Sequence, residues 1–224
     1  MSERKRLAAE RAVEFVQDGM KVGLGTGSTA AFAIDAIGRL VKDGYDLLAV
    51  PTSVISERQA RELGIPLATL EEAGTLDITI DGADEVDGNL DLIKGMGGAL
   101  LREKIVAYST RQEIIIVDDS KLVHELGTKF PLPVEVVQFS HGRTRMFMEE
   151  LGCKAELRGG AAPFVTDNGN FIYHLHFEHG IRDPYELQRK LDDIPGVVEM
   201  GLFLKMAKKV IVASEQGIRV MERV

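Results

Sequence analysis

The stretch VGLGTGST, residues 22–29, decides how the first part of the chain folds. Its apolar start predicts a buried strand, its glycines predict a turn, and a helical apolar period runs from Ser28 to Val41. Glycines let a backbone approach a ligand closely, and a helix N-terminus offers unpaired N–H groups to an anion. The segment therefore predicts a strand–loop–helix unit that binds an anion. The alternative is a plain tight turn in which Ser28 caps the helix.

Two other phosphate-binding motifs fit this loop less well. Its spacing, GxGxGS, differs from the GxGxxG of dinucleotide-binding loops. The next predicted strand leads into Pro51 without the acidic residue that would hold a ribose. The loop also lacks the lysine of a Walker A motif. A dinucleotide cofactor is therefore the weaker interpretation.

Strand and helix patterns alternate on both sides of this unit. A helical period runs from Glu3 to Asp18, and further helices are predicted up to Leu63 and from Gly98 to Tyr108. Short apolar runs between them predict strands at residues 47–50, 76–80 and 113–117. Alternation at this spacing predicts an α/β fold, with a Rossmann-like, mainly parallel sheet flanked by helices.

After Gly127 the pattern changes. The elements that follow are predicted in the order β-α-β-β-α-β, which is the split βαβ arrangement of ferredoxin-like domains. The run at residues 209–213 is apolar and could rejoin the first sheet. We therefore predict an α/β domain of residues 1–127 and 205–224, and a smaller ferredoxin-like α+β domain of residues 128–204.

Composition and charge exclude some classes of function. The 224 residues carry a formal net charge of −8, which argues against a protein that binds nucleic-acid phosphates. No apolar run approaches the length of a membrane span, and the N-terminus lacks the apolar stretch of a signal peptide, so we expect mature protein from the first residue. The single cysteine, Cys153, fits a cytoplasmic protein but also an extracellular protein without disulfides.

Two aspartates follow the predicted strand at residues 76–80. They belong to the segment Asp81-Gly-Ala-Asp84, at the carboxyl end of the strand, where ligands gather in open α/β sheets. Two carboxylates this close can divide acid and base roles if their environments differ. The alternative is ordinary turn chemistry, in which aspartate side chains cap their own backbone.

A second glycine-rich segment, Lys94-Gly-Met-Gly-Gly98, leads into the helix that bears Glu103. Lys94 supplies a point charge suited to an oxyanion or a phosphate. Glu103 would lie in the second helical turn, where it could face the same crevice or simply be solvated. Lys121 follows the strand at residues 113–117, and by itself it would be a surface lysine.

Three histidines are candidates for a metal site. His174 and His176 alternate on one predicted strand and His179 follows them. No carboxylate joins them at a recognisable spacing, so the polar face of an edge strand explains them better.

With these segments in order, the chain closely resembles ribose-5-phosphate isomerase of type A over nearly its whole length. Met96 departs from the glycine usual in that family, and we expect its backbone N–H to remain available. The motifs that carry the resemblance are VGLGTGSTAAFAIDAIG, TIDGADEVDGNLDLIKGMGGALLREKI, DDSKLV, LGTKFPLPVEV, VTDNGN and IPGVVEMGLF.

The resemblance implies a fold, a reaction and an assembly. The family has an α/β domain with a smaller ferredoxin-like domain, forms homodimers or homotetramers, and needs no metal or other cofactor. It interconverts D-ribose 5-phosphate and D-ribulose 5-phosphate in the non-oxidative pentose phosphate pathway. The partner implied is a small sugar phosphate, with no nucleic acid and no membrane.

The resemblance also assigns site residues. The catalytic base corresponds to Glu103, and Lys5 aligns approximately with a further lysine on the phosphate side. The predicted substrate-binding residues are Thr26, Gly27, Ser28, Thr29, Asp81, Gly82, Ala83, Asp84, Lys94, Gly95, Met96, Gly97 and Lys121.

The residue types agree with this chemistry. Isomerisation removes a proton from C2, forms an enediolate and returns the proton to C1, and one carboxylate can perform both transfers. We expect Glu103 in that role, Asp81 to handle the proton exchanged between O1 and O2, and Asp84 to hold hydroxyls or assist ring opening. Lys94 and backbone N–H groups would stabilise the oxyanion. The glycine loop and Lys121 would hold the sugar phosphate, but the division of these groups between phosphate and hydroxyls stays open.

Two other functions remain as alternatives. One is acyl or coenzyme A transfer on a related α/β scaffold, with a glutamate as nucleophile. The other is a non-catalytic sugar-phosphate sensor, which usually carries a DNA-binding module. The chain begins within about twenty residues of the glycine loop and is acidic, so we expect no such module.

Overall fold

A computed structural model describes residues 2–223 of the chain. Within that range the helices are α1 (Ser2–Val13), α2 (Ala30–Lys42), α3 (Val54–Glu62), α4 (Leu70–Ala73), α5 (Leu100–Tyr108), α6 (His141–Glu149) and α7 (Pro184–Asp192). The strands are β1 (Lys21–Leu24), β2 (Leu48–Pro51), β3 (Leu76–Gly82), β4 (Glu85–Val86), β5 (Leu92–Ile93), β6 (Thr110–Asp118), β7 (Leu132–Val136), β8 (Lys154–Leu157), β9 (Phe171–His176), β10 (Val197–Met200), β11 (Leu202–Phe203), β12 (Ala207–Ser214) and β13 (Gly217–Glu222).

The chain divides into two compact units. The first contains the residues up to Ala83, Arg102–Lys121 and the residues from Lys205 onward. The second contains Asp84–Leu101 and Leu122–Leu204. None of the helices within residues 2–223 is both long enough and apolar enough to cross a membrane.

The first unit is built on a six-stranded sheet with the order β13-β12-β6-β3-β1-β2. All neighbouring strands are parallel except β12 and β13, which form an antiparallel pair. The residues Ile114-Ile-Ile-Val117 of β6 are buried without alternation, as expected for a central parallel strand covered on both faces. The mainly parallel sheet predicted from the sequence is confirmed.

Helix α2 packs on this sheet through one apolar stripe. Ala30, Ala33, Ile34 and Ile37 are buried at the spacing i, i+3, i+4 and i+7. The same core contains Val22 and Leu24 of β1, so the strand and the helix on either side of the glycine loop share one packed interior. This packing fixes the position of the loop between them.

The second unit contains a four-stranded antiparallel sheet with the order β10-β7-β9-β8. The strand pairing and the helices α6 and α7 give the split βαβ arrangement that the sequence predicts. Helix α7 begins as its sequence indicates, with Asp183 accepting a hydrogen bond from the Glu186 N–H at 2.9 Å and Pro184 in the first turn.

A three-stranded sheet in the same unit has the order β11-β5-β4. Its members are only two residues long, and their pairing brings residues 84–101 into the second unit. The sequence patterns assign those residues to the first domain, because two-residue strands show no measurable period.

Candidate active site

The first glycine-rich loop, residues 25–29, joins β1 to α2 and is tied to the end of β3. The Gly25 N–H donates to the Ile80 carbonyl at 3.0 Å, and the Thr26 N–H donates to Asp81 Oδ1 at 3.0 Å. A Cβ atom on Gly25 would lie 2.2 Å from Asp81 Oδ1 and 2.6 Å from its Cα. Only glycine therefore lets the loop pass so close to this aspartate.

Asp81 is held in one orientation by backbone donors. Its side chain is buried, with 1% of the residue exposed, and the Gly82 N–H also donates to Oδ1, at 2.7 Å. The bond from Thr26 reaches across 55 residues of sequence. The carboxylate therefore connects the first loop to the carboxyl end of β3, where the sequence places it.

A cluster of hydroxyl groups supports the first loop. Thr26 Oγ1 lies 2.8 Å from Thr52 Oγ1 and donates to Ser53 Oγ at 2.8 Å. Thr52 is fully buried and donates to the Leu24 carbonyl at 3.0 Å. Sequence reasoning did not single out Thr52 and Ser53, although their position after β2 at the carboxyl edge of the sheet was a usable signal.

Ser28 does not cap α2, so the plain-turn alternative is wrong for this residue. Thr29 occupies the N-cap position and makes no capping hydrogen bond through its side chain. Ser28 Oγ instead accepts a hydrogen bond from Lys5 Nζ at 2.8 Å. Gly27 and Ser28 are exposed, and Lys5 brings a positive charge to them from α1.

Glu103 lies on α5 and is buried, with 4% of the residue exposed. The alternative that Glu103 is a solvated residue on the helix surface is therefore wrong. The helix begins at Leu100 rather than at Gly98, which places Glu103 in its first turn and not in the second as expected. A carboxylate in the first turn interacts favourably with the helix dipole. Lys121 ends a 3₁₀ turn, Asp119–Lys121, at the carboxyl end of β6, and it is half-buried.

The second glycine-rich loop, residues 94–98, belongs to the second unit together with Asp84. The Asp84 N–H donates to the Ile93 carbonyl at 2.8 Å, and its Oδ2 accepts from the Met96 N–H at 3.0 Å. The Met96 N–H was expected to remain available. It is engaged by Asp84, because the turn at Gly95, with φ of +105°, aims it at that carboxylate.

Lys94 is buried, with 2% of the residue exposed. Its backbone N–H donates to the Gly201 carbonyl at 2.9 Å, and its Nζ lies 5.3 Å from the centroid of the Phe203 ring. A cation over an aromatic face is attracted by the ring quadrupole. The charge of Lys94 is therefore held in a confined, largely desolvated place.

His174 and His176 do not lie on an edge strand as expected, because β9 pairs with both β7 and β8. His174 is half-buried on β9, and burial, followed by the charge of Arg158, lowers its pKa. His176 Nε2 lies 3.4 Å from Glu156 Oε2 on the neighbouring strand. In the part of the chain that the structure describes, no three His, Cys, Asp or Glu side chains are grouped as metal ligands would be.

Comparison with known proteins identifies a family. The family model for ribose 5-phosphate isomerase A (phosphoriboisomerase A) matches residues 48–217. The chain is 54% identical over 220 residues to a ribose-5-phosphate isomerase A of Gloeobacter violaceus, covering 97% of this chain and 95% of that protein. It is 50% identical over 216 residues to the protein of that name from Bacillus mycoides, covering 96% and 97%.

Solved structures agree with this assignment. A D-ribose-5-phosphate isomerase in complex with phospho-erythronic acid matches with a TM-score of 0.95 and 43% identity, covering 99% of this chain and 98% of that one. Ribose 5-phosphate isomerase from Plasmodium falciparum matches with a TM-score of 0.96 and 39% identity, covering 99% of each chain. The chain therefore belongs to the ribose 5-phosphate isomerase A family of aldose–ketose isomerases.

Proposed function

We propose that this chain interconverts D-ribose 5-phosphate and D-ribulose 5-phosphate through an enediolate, with Glu103 moving the carbon-bound proton. Family membership supports the reaction, which belongs to the pentose phosphate pathway. The observation that carries the role of Glu103 is its burial in the first turn of α5. A solvated surface glutamate would not be held in this way.

Glu103 has the properties that a carbon-to-carbon proton transfer requires. The base must take the proton from C2, keep it from exchanging freely with water, and return it to C1 on the same face of the sugar. A carboxylate with 4% of its residue exposed meets the second requirement, because little solvent reaches it. Positioned acid–base catalysis of this kind is worth about 10²–10⁴ in rate.

Asp81 is proposed to exchange the proton between O1 and O2. Its carboxylate is fixed by the backbone N–H groups of Thr26 and Gly82, so its orientation does not have to be found during the reaction. Asp84, held by the Met96 N–H, is proposed to bind sugar hydroxyls or to assist ring opening. The neighbouring backbone of Gly82 and Ala83 would lie along the sugar.

Lys94 is proposed to stabilise the negative charge that develops on the enediolate. A desolvated ammonium group interacts more strongly with a new charge than an exposed one does, because the local dielectric is low. The backbone of Gly95, Met96 and Gly97 would supply polar groups around the same atoms. This part of the site is proposed to act mainly in the transition state.

The phosphate group is proposed to bind at the first loop, residues 25–29. Two of its residues are exposed, it precedes the N-terminus of α2, and Lys5 adds a cation. Thr26, Thr29 and Lys121 would complete the set of donors. A phosphate arriving from solvent needs an accessible cradle of this kind.

The assembly, compartment and cofactor requirement are also proposals. The family resemblance supports a homodimer or homotetramer, which sedimentation equilibrium of the purified protein would measure. We propose the cytoplasm as its location, in keeping with the single cysteine, although one relative at 50% identity is named as chloroplastic. We propose that catalysis needs no metal, because each step of the proton transfer has a side chain of this chain to perform it.

The direct test of the proposed function is a turnover assay. Protein purified and treated exhaustively with a chelator is incubated with ribose 5-phosphate, and ribulose 5-phosphate is measured over time. We expect full activity and competitive inhibition by phospho-erythronic acid. Absence of turnover with and without added divalent cations would contradict the activity, and turnover only with the cations would contradict the metal-free mechanism.

A further inference from the structure

Three side chains of the second unit, which we call the Arg158 cluster, have no part in the mechanism above. They are Arg158, Phe164 and His174. The Arg158 N–H donates to the Ile172 carbonyl at 2.9 Å, and the Arg158 carbonyl accepts from the Phe164 N–H at 2.9 Å. The guanidinium carbon lies 3.8 Å from the centroid of the Phe164 ring, so the cation is stacked on an aromatic face.

Two members of the cluster, Arg158 and Phe164, lie directly against the second loop. A Cβ atom added to Gly98 would stand 2.6 Å from the Phe164 ring and 2.8 Å from Arg158 Nη1. Gly98 also has φ of +95°, a conformation that favours glycine. Because both side chains touch the backbone of Gly98, the guanidinium packs against the same loop that carries Lys94.

The charge of Arg158 is not neutralised within the part of the chain that the structure describes. Its Nη1 is buried and donates no hydrogen bond there, and no carboxylate lies within salt-bridge distance. Burial lowers the pKa of Arg158, yet a guanidinium stays charged at neutral pH. The charge of Arg158 also acts on His174. Burial is the largest cause of the lowered pKa of that histidine, and the charge of Arg158 is the next.

The guanidinium of Arg158 costs free energy in this position if it serves only to pack against Phe164 and Gly98. Arg158 is half-buried and its buried Nη1 has no acceptor among the described residues, so the cation loses part of its solvation, and a cation at Gly98, two residues before α5 begins, opposes the helix dipole. An apolar side chain of similar length would cover Phe164 and Gly98 without either cost. An anion bound at the second loop would compensate the lost solvation of Arg158, and it would itself interact favourably with the helix dipole.

We propose that Arg158 is a positioning residue for the isomerisation, which fixes Gly98 and adds positive potential to the second loop where the enediolate charge develops. This inference rests on the proposed function. Arg158 acts indirectly, by holding Gly98 in place and by the electrostatic potential of its charge at the second loop. Its effect should therefore grow with the negative charge on the reacting end of the ligand.

The test compares two ligands in two variants. Arg158→Met removes the charge and keeps much of the length, whereas Arg158→Lys keeps the charge. Phospho-erythronic acid carries a carboxylate at the reacting end, and ribitol 5-phosphate carries a neutral hydroxyl there. Dissociation constants for both ligands, kcat and KM are measured, with Arg145→Met on the exposed face of α6 as a matched control.

For Arg158→Met we expect kcat to fall about tenfold and phospho-erythronic acid to bind about tenfold more weakly. Ribitol 5-phosphate should bind within about twofold of the wild type, and Arg158→Lys should recover most of both losses. Equal weakening of both ligands, unchanged kcat, or no recovery with lysine would overturn the inference. If Arg158→Met does not fold, the dissociation constant of phospho-erythronic acid is divided by that of ribitol 5-phosphate in Arg158→Lys and in Arg158→Gln. A higher ratio in Arg158→Gln supports the inference, and equal ratios overturn it. Absence of wild-type turnover would instead contradict the proposed function.

Discussion

The two glycine-rich loops differ in the environment of their charges. The first loop, residues 25–29, exposes Gly27 and Ser28 and takes its cation from Lys5 on a separate helix. The second loop, residues 94–98, carries its own lysine with 2% of the residue exposed. The sequence alone makes the two loops look alike, since both combine glycines with an anion-binding context.

The different exposure of the two loops suggests that they bind different parts of the ligand. An exposed loop can bind a phosphate that keeps its charge throughout the reaction, so it contributes equally to the substrate and the transition state. A buried ammonium is better suited to a charge that exists only during the reaction, because desolvation strengthens that interaction. We therefore expect loss of the phosphate-binding groups of the first loop to raise KM and loss of the buried cation of the second loop to lower kcat.

The largest effect is expected at Lys94 in the second loop. Lys94→Met should lower kcat by about 10²–10³ while KM changes little, because the lost interaction forms in the transition state. Steady-state kinetics with ribose 5-phosphate measure both constants. Lys190→Met, at an exposed lysine that pairs with Glu186, is the control. A raised KM with preserved kcat would assign Lys94 to phosphate binding instead.

A large effect is also expected where the first loop crosses Asp81. In Gly25→Ala the new Cβ would stand 2.2 Å from Asp81 Oδ1, so the loop or the carboxylate must move. We expect the free energy of unfolding to fall by about 1–3 kcal/mol and kcat to fall as well, because the orientation of Asp81 is lost.

The matched control for Gly25→Ala is Gly27→Ala in the same loop. Gly27 has φ of +113° and no atom within 4 Å of an added Cβ, so only backbone strain of about 1 kcal/mol is expected. Urea unfolding and kinetics on both variants make the comparison. Equal loss of kcat in the two variants would show that strain in the loop, and not the approach to Asp81, is responsible.

A smaller effect is expected at Lys5. Removing the cation that bonds to Ser28 should raise KM about tenfold and leave kcat within about twofold, since the lost interaction is the same in substrate and transition state. Lys5→Met is compared with Arg6→Met, whose guanidinium pairs with Glu10 on the exposed side of α1. A fall in kcat as large as that of Lys94→Met would remove the distinction between the loops.

The smallest effect is expected at Cys153, which belongs to neither loop. Burial, followed by the charge of Glu149, raises the pKa of this thiol above its ordinary value of 9.0 to about 11. Below pH 9 the thiol is neutral in both states. Between pH 9 and 11 only the unfolded thiol ionises, so the folded state loses stability as pH rises through this window.

Cys153→Ala should therefore show a slightly shallower loss of stability between pH 9 and 11, with kcat and KM unchanged at pH 7.5. Urea unfolding at several pH values measures the difference between the two proteins. Rapid alkylation of the folded wild type at pH 7.5 would contradict the raised pKa, because the thiolate is the reactive form.

The sequence predicted the features that have a period or a local motif. The uninterrupted run Ile114–Val117 indicated a buried parallel strand, and the order of elements after Gly127 indicated the split βαβ arrangement. These signals lie within one element or between neighbouring elements, where propensity and burial act on the same residues.

What the sequence could not predict depends on contacts between distant residues. The two-residue strands β5 and β11 have no pattern of their own, and their pairing groups residues 84–101 with the second unit. The engagement of the Met96 N–H by Asp84 and the contact of Arg158 with Gly98 are likewise tertiary. The roles of the predicted site residues remain predictions for the experiments above.

The proposal that Glu103 moves the carbon-bound proton is tested most directly by the turnover number of Glu103→Gln at saturating ribose 5-phosphate. We expect kcat to fall by at least about 10³, because no other group is proposed to move the carbon-bound proton, while phospho-erythronic acid still binds. Glu113→Gln is the control, since Glu113 is as buried in the same unit and has no proposed role in the reaction. Retention of most of the wild-type kcat by Glu103→Gln would contradict the account.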